Sequence, residues 1–378
     1  MTKSPAHSVR LAGVGASRQG KMPNQTADDL TLTAIQAAMA DAGITKDEID
    51  VLIMQPSFGG QGEIREIGHR LGVEPKMAFN VGYQGEALAV AFHVIAAGSA
   101  DVALLAYGTN QRTNRNQFAK PSYHVGGNFE TVYGLFSPGS TAAMNFRRRM
   151  HDYGATEEQL GAVAVGQSEA AALNPLAVYR DAITLEEYLA APYVIAPLRR
   201  FDFCMVSDGA FATVVMSEAR AKDLAKHPIR VESIGFQTSF LEIDHPDAMY
   251  HPSQLPNARR LWGGTDMTVA DLDAMYIQDA FSPNVLAGLE NYGICERGTA
   301  HEWIQGGRIS LKGELPVNPN GGQSRMTYMV GWHNTYDAVR QLRREADDPA
   351  RQVPNCQTIL CTNSGGHWQE TFSMLLSR

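Results

Sequence analysis

Apolar residues arrive in this chain in two rhythms, and their alternation predicts the architecture. Val9 to Val14, Val51-Leu52-Ile53-Met54 and Val102-Ala103-Leu104-Leu105-Ala106 are short apolar bursts that read as strands, the first running into Gly13 and Gly15. Between them lie longer stretches with helical punctuation. Thr26 is placed to cap a helix from about Ala27 to Ala42, which Gly43 closes, and Gly82 to Ala97 reads as a second helix, apolar along most of its length. Thr45 with Glu48 makes a capping-box pattern just before the second strand. Strands alternating with helices predict an α/β protein with a parallel sheet.

The second half repeats this grammar. Ile229 to Gly235 echoes Val9 to Gly15, and Thr268 to Ile277 echoes Thr45 to Met54. A glycine turn at Gly321-Gly322, a helix from Trp332 to Arg343 and a strand at Thr358-Ile359-Leu360-Cys361 follow in the same order. The echo implies a duplicated α/β unit with its boundary near Lys226-His227-Pro228, giving halves 1–228 and 229–378. Residues 109–198 form an insertion that carries Phe129 to Gly134, a helical stretch from Ser140 to Tyr153 and another helix opened by Thr156-Glu157-Glu158. An insertion of this kind forms a lid or a dimer surface over a site.

Composition narrows the partners. With 378 residues, 44% hydrophobic and 19% charged, the chain has the balance of an ordinary globular protein with a large core. Its net charge of -8 argues against nucleic acid as a general partner. The start, Met1 to Arg10, lacks the apolar centre of a signal peptide, and no apolar run is long enough to span a bilayer, so a soluble cytoplasmic protein is expected. Cys204, Cys295, Cys356 and Cys361 show neither a Cys-x-x-Cys pair nor partnered histidine spacing. No metal site and no disulfide framework is expected, only reduced and mostly buried thiols.

The stretch that organises the chemistry is Asn318-Pro319-Asn320-Gly321-Gly322-Gln323-Ser324-Arg325-Met326-Thr327-Tyr328-Met329-Val330-Gly331, a turn-rich junction handing over to a helix that ends Arg340-Gln341-Leu342-Arg343. It resembles the C-terminal catalytic segment of the thiolase superfamily, in the lipid-transfer-protein (sterol-carrier-protein-X) branch. Those proteins read Asn-x-x-Gly-Gly, then Gly-His-Pro, then a helix ending Arg-Gln-Leu-Arg. Here Thr327-Tyr328-Met329 fills the Gly-His-Pro slot, so the family's catalytic histidine is a tyrosine. Further markers follow in family order: Arg148-Arg149-Met150 with Tyr153-Gly154-Ala155-Thr156, Asn174-Pro175-Leu176-Ala177, Pro197-Leu198, Asp202 through Ser207-Asp208-Gly209-Ala210, and Gln278-Asp279-Ala280-Phe281 in the Asn-Glu-Ala-Phe position. The resemblance covers nearly the whole chain. It implies the duplicated five-layer α-β-α-β-α thiolase fold and a homodimer acting on acyl-CoA. CoA then enters as part of the substrate, with no covalently bound cofactor.

What the site has lost decides the expected reaction. Thiolases place a nucleophilic cysteine at the start of the first buried helix, as Cys-x-Ser-Gly, where helix-terminal N–H groups favour the thiolate. This chain writes Gly82-Tyr83-Gln84-Gly85, so the nucleophile slot is Gly82 and only its backbone is left to act as an oxyanion donor. Cys204 and Cys295 match ordinary family positions. Cys361 sits a residue early for the family's second cysteine, which precedes a glycine run, if Ser364-Gly365-Gly366 is that run. His367, just after it, either takes over proton transfer or is a surface or core-edge histidine. Tyr328 either donates to a thioester oxygen or takes a hydroxyl proton, the alternative being plain packing. His333 is a weaker candidate, and His93, His124 and His227 are expected to be structural. The basic groups Arg147-Arg148-Arg149, Arg199-Arg200 and Arg259-Arg260 either meet CoA phosphates or are solvated faces.

A subgroup of lipid-transfer thiolases carries this tyrosine and works as retro-aldolases on steroid side-chain β-hydroxyacyl-CoA thioesters, without an acyl-enzyme. The resemblance therefore implies a lyase with Tyr328 or His367 as base and Gln278 as an oxyanion donor. Those aldolases carry a second tyrosine where Gln278 stands, and an amide can donate but cannot act as the base. Aldolases of the branch pair with a small OB-fold and zinc-ribbon acyl-CoA-binding protein. Two other readings stay open: a non-catalytic acyl-CoA-binding subunit, and an acyltransferase that uses an unconventional cysteine.

Overall fold

The computed structural model describes residues 5–57, 63–114, 132, 135, 137–224, 226–240, 250–365 and 369–378. His124, His367 and most of the stretch from Phe129 to Gly134 lie outside the described residues.

Nine strands form one sheet in the order β3-β2-β4-β7-β1-β8-β11-β10-β9. They are β1 (Val9–Ala16), β2 (Val51–Gln55), β3 (Met77–Asn80), β4 (Val102–Asn110), β7 (Asp208–Ser217), β8 (Ile229–Thr238), β9 (Ala274–Tyr276), β10 (Thr358–Gly365) and β11 (Glu370–Ser377). A small separate ribbon pairs β5 (Tyr193–Ile195) with β6 (Leu198–Arg199).

The duplication is visible in this order. Read outward from the seam, the first half runs β1-β7-β4-β2-β3, and the second runs β8-β11-β10-β9 with Val317 bridging Met275 beyond it. The halves join edge to edge through two pairs, Arg10 opposite Arg230 and Leu11 opposite Ile229.

The expectation of a parallel sheet is corrected. β2 runs parallel to β3 and β4, and β9 runs parallel to β10, whereas the β1–β7, β4–β7, β1–β8, β8–β11 and β10–β11 ladders are antiparallel. In each half the last strand inserts antiparallel beside the first, β7 between β1 and β4 and β11 between β8 and β10. Strand pairing is non-local, and apolar bursts carry no record of its direction.

Eight helices of eight or more residues are described: α1 (Ala27–Ala42), α2 (Ile64–Leu71), α3 (Gln84–Ala96), α4 (Pro138–Tyr153), α5 (Glu157–Ala172), α6 (Gln254–Gly263), α7 (Ser282–Asn291) and α8 (Trp332–Arg343). Thr26 and Asp29 close a reciprocal capping box on α1, and Gly43 ends it in the left-handed conformation. β1 lies so close beneath α1 that a Cβ on Gly15 would stand 2.1 Å from the Ala34 carbonyl oxygen.

Three apolar clusters show five layers. One packs α1 against the outer face of β1, β2, β4 and β7. Another packs α4, α5, α6 and α7 with the outer side of the second half. The largest lies between them, where α3 and α8 are enclosed by Leu105, Tyr107 and Phe211 of the first half and by Ile359, Phe372 and Met374 of the second. α3 therefore reads as apolar along most of its length, whereas α8 is buried with polar side chains such as His333, Asn334, Asp337 and Gln341 on it. Among the described residues no helix is long and apolar enough to cross a membrane.

Candidate active site

The site is built where the two enclosed helices begin. Four glycines or asparagines let the chain turn sharply before α8. Asn318 adopts φ 50°, Gly321 φ 103°, Gly322 φ 64° and Gly331 φ 89°. A Cβ on Gly322 would stand 2.2 Å from Asp279 Oδ2, so only glycine fits there.

Buried amides pin this turn. Asn318 imitates a strand beside β9, accepting the Ile277 N–H at 2.8 Å and donating to the Ile277 carbonyl at 3.0 Å. Asn320 donates to Asn334 Oδ1 at 3.0 Å and accepts the Gly322 N–H at 2.9 Å. Asp279 accepts the Gln323 N–H at 3.1 Å and Gln167 Nε2 at 2.6 Å. Burial pushes the Asp279 carboxyl up to about 6 despite those donors.

Tyr328 leaves this turn half-buried, with its ring at the seam of the middle and second-half cores. Its N–H donates to Ser207 Oγ at 3.0 Å, Ser207 is 2.7 Å from Thr327 Oγ1, and Thr327 donates to Gln19 Oε1 at 2.9 Å. The Ser-Asp-Gly segment at the start of β7 thus fixes the tyrosine's backbone.

Gly82 stands two residues before α3, exposed. Its N–H donates to Glu86 Oε2 at 2.7 Å, and a Cβ at position 82 would lie 3.3 Å from the same oxygen. The oxyanion role expected of the backbone here is therefore not open to the Gly82 N–H, which a carboxylate already occupies.

Gln278 follows β9 and is buried; its Oε1 accepts the Ser364 N–H at 2.6 Å. Its Nε2 remains the side chain's donor. The starts of α3 and α8 are joined by Asn363, whose Nδ2 donates to Gln84 Oε1 at 2.7 Å and to the Val330 carbonyl at 3.2 Å, while Gln84 Nε2 donates to Thr335 Oγ1 at 2.9 Å. The structure thereby brings the Gly82 and Tyr328 segments together.

The other candidates fall elsewhere. His333 is fully buried on α8 beside Phe211, and burial lowers it to about 3, so it is neutral and no acid. His93 lies exposed on α3 with its Nδ1 at 2.7 Å from the Ala89 carbonyl, and the His227 carbonyl accepts from Arg343. Burial raises Cys204 and Cys356 to about 12, Cys295 to about 11, and also lifts Cys361, so none is poised as a thiolate. Among the named arginines, Arg149 is spent in a buried ion pair with Glu290 and Arg199 pairs with Glu157. Sequence reasoning gave no role to Glu86, Gln84, Ser207, Asp279 or Asn363. For Glu86 the signal was legible, a carboxylate four residues after the vacated slot at a helix start.

Residues 10–219 match the family model for the thiolase N-terminal domain, and residues 258–378 match the thiolase C-terminal domain-like model. The chain belongs to the thiolase family. Within it, the chain is 32% identical to a 17-hydroxy-3-oxo-4-pregnene-20-carboxyl-CoA lyase of Mycobacterium tuberculosis, over 94% of this chain and 96% of the relative. It is 31% identical to a steroid side-chain-cleaving aldolase of Thermomonospora curvata, over 91% and 93%. Among solved structures it superposes on an Ltp2-ChsH2(DUF35) aldolase with a TM-score of 0.87 and 29% identity, covering 98% of both chains.

Proposed function

We propose that this chain is a carbon–carbon bond-cleaving retro-aldolase acting on a β-hydroxyacyl-CoA with a bulky, steroid side-chain-like acyl group. The observation that carries this reading is the altered slot: where thiolases place sulfur, a glycine sits under a carboxylate, and a tyrosine replaces the family's histidine. Such a site cannot form an acyl-enzyme at position 82. Retro-aldol cleavage requires none, only a base for the β-hydroxyl and donors for the thioester enolate. Tyr328 and the Gln278 amide are the side chains offered for those tasks, together with His367 from the sequence reading.

The lyase and aldolase named above support the reaction class and substrate type. CoA recognition is supported by Arg200 and Arg325, whose guanidinium groups lie 4.7 Å and 5.0 Å from the centre of the Phe201 ring, with no carboxylate within 4.0 Å of either among the described residues. The proposed setting is the cytoplasm, as a homodimer working with an OB-fold and zinc-ribbon partner of the DUF35 kind.

Incubation of the chain with such a partner and a β-hydroxyacyl-CoA should release a carbonyl product and a shortened acyl-CoA. Tyr328→Phe should lower kcat about 100-fold or more. Unchanged turnover in that variant, or no carbonyl product from the wild-type complex, would overturn the reading.

A further inference from the structure

We propose that Glu86 is the general base of this site, its carboxylate standing where the family's nucleophilic sulfur would be. The inference rests on the aldolase reading above and adds the residue that takes the proton. The geometry is specific: Glu86 Oε2 is 2.7 Å from the Gly82 nitrogen and 3.3 Å from where a Cβ on residue 82 would begin. In this rotamer the carboxylate lies in tight contact with the point where a side chain at position 82 would start, so it takes up space beside the slot that glycine leaves open.

The carboxylate is reachable, and of its two oxygens Oε2 holds the Gly82 N–H while Oε1 is uncommitted among the described residues. Glu86 is half-buried, Gly82 beside it is exposed, and among the described residues no cation pairs with Glu86 and no donor meets its Oε1. From the facing strand β11, Glu370 shares the neighbourhood. Its carboxyl is pushed upward by burial and then by the charge of Glu86. Tyr83, adjoining Gly82, is buried, with its hydroxyl unpartnered among the described residues, and burial followed by the Glu370 and Glu86 charges raises it strongly. Tyr83 therefore stays a neutral phenol beside the carboxylates.

The step balances without a further reagent. The Glu86 carboxylate takes the β-hydroxyl proton, and the released O–H electron pair forms the carbonyl π bond. The Cα–Cβ bond breaks, its electron pair passing into the thioester as an enolate whose oxygen accepts from the Tyr328 hydroxyl and Gln278 Nε2. The proton held by Glu86 then returns to Cα, giving an acyl-CoA and a ketone or aldehyde. Tyr328 becomes the donor, a task suited to a phenol that keeps its proton.

A purely structural Glu86 would be a helix cap, reaching back from the first turn of α3 to an unpaired N–H. Glu86→Gln separates the roles, because an amide oxygen still accepts the Gly82 N–H but takes no proton. In the partner-bound enzyme, E86Q should keep its melting temperature and a KM within about 3-fold, lose kcat by about 100-fold or more, and lose the acid limb of the wild-type kcat profile. Glu86→Asp should recover at least about 10-fold of that loss and restore the limb. Activity of E86Q within about 3-fold of wild type, with the limb intact, would overturn the proposal while leaving the aldolase reading standing. Should E86Q not fold, E86D decides: the proposal requires an active enzyme with the acid limb, and an E86D profile lacking it would sink the idea. Absence of carbonyl product from wild-type complex would instead remove the aldolase reading, and this proposal with it.

Discussion

Gln84 and Asn363 meet across the middle helical layer, the amide of Asn363 donating to Gln84 Oε1 at 2.7 Å. One residue opens the buried helix of the first half, and the other lies on β10 of the second. Asn363 also holds the Val330 carbonyl, two residues past Tyr328. This amide therefore sets the spacing between the vacated slot and the tyrosine.

Asn363→Leu keeps the volume and removes both bonds, leaving Gln84 Oε1 and the Val330 carbonyl buried without this donor. A loss of about 1–3 kcal/mol in urea unfolding is expected, the cost of stranding buried acceptors. At a temperature where the variant is folded, kcat should fall while partner binding, followed by size-exclusion chromatography, persists. An unchanged kcat would show that the spacing does not matter to the reaction.

Two carboxyls raised by burial each contribute stability that grows as pH falls, against the lowered carboxyls of Asp29, Asp41, Glu48 and Asp50. Asp202, bonded by Tyr188 and the Arg199 N–H, is pushed up to about 6, as is Asp279. A group whose pKa is raised by folding binds its proton more tightly in the native state. Its contribution is full below the unfolded value of 3.8 and is lost as pH rises through about 6. Moving from pH 7 to pH 5 should therefore stabilise wild type relative to Asp279→Asn by on the order of 1–2 kcal/mol, seen as a rise in its melting temperature over the variant's. Parallel melting curves for the two proteins across that range would contradict the assignment.

The thiols should be silent. With all four cysteines raised by burial, iodoacetamide at pH 7.5 should label the folded protein far more slowly than the urea-unfolded chain, and activity should survive the treatment. Rapid labelling of one thiol with matching loss of turnover would restore the thiol-dependent alternative.

Local signals were the legible part of the sequence. The α1 and α8 boundaries follow from Thr26, Gly43 and the apolar spacing, because caps and helical periodicity act within a few residues. β7 and β11 went unassigned, and the sheet was read as parallel, because ladder direction depends on partners far away in the chain. At the site, Tyr328 and Gly82 stood out as departures from a family pattern. The Ser207 and Asp279 anchors needed coordinates, since Ser207 meets residues 120 and 121 positions away. His367 falls outside the described residues, and its part in proton transfer stays a proposal.

The edge between β1 and β8 is only two residue pairs long, yet the helices it encloses draw their walls from both sides. A piece ending at Pro228 would carry α3 with one flank bare and without the turn that bears Tyr328. The complementary piece would hold that turn without the start of α3, where Gly82 and Glu86 lie. Severed at the repeat boundary, the molecule would need both fragments in one tube before Asn363 could reach Gln84.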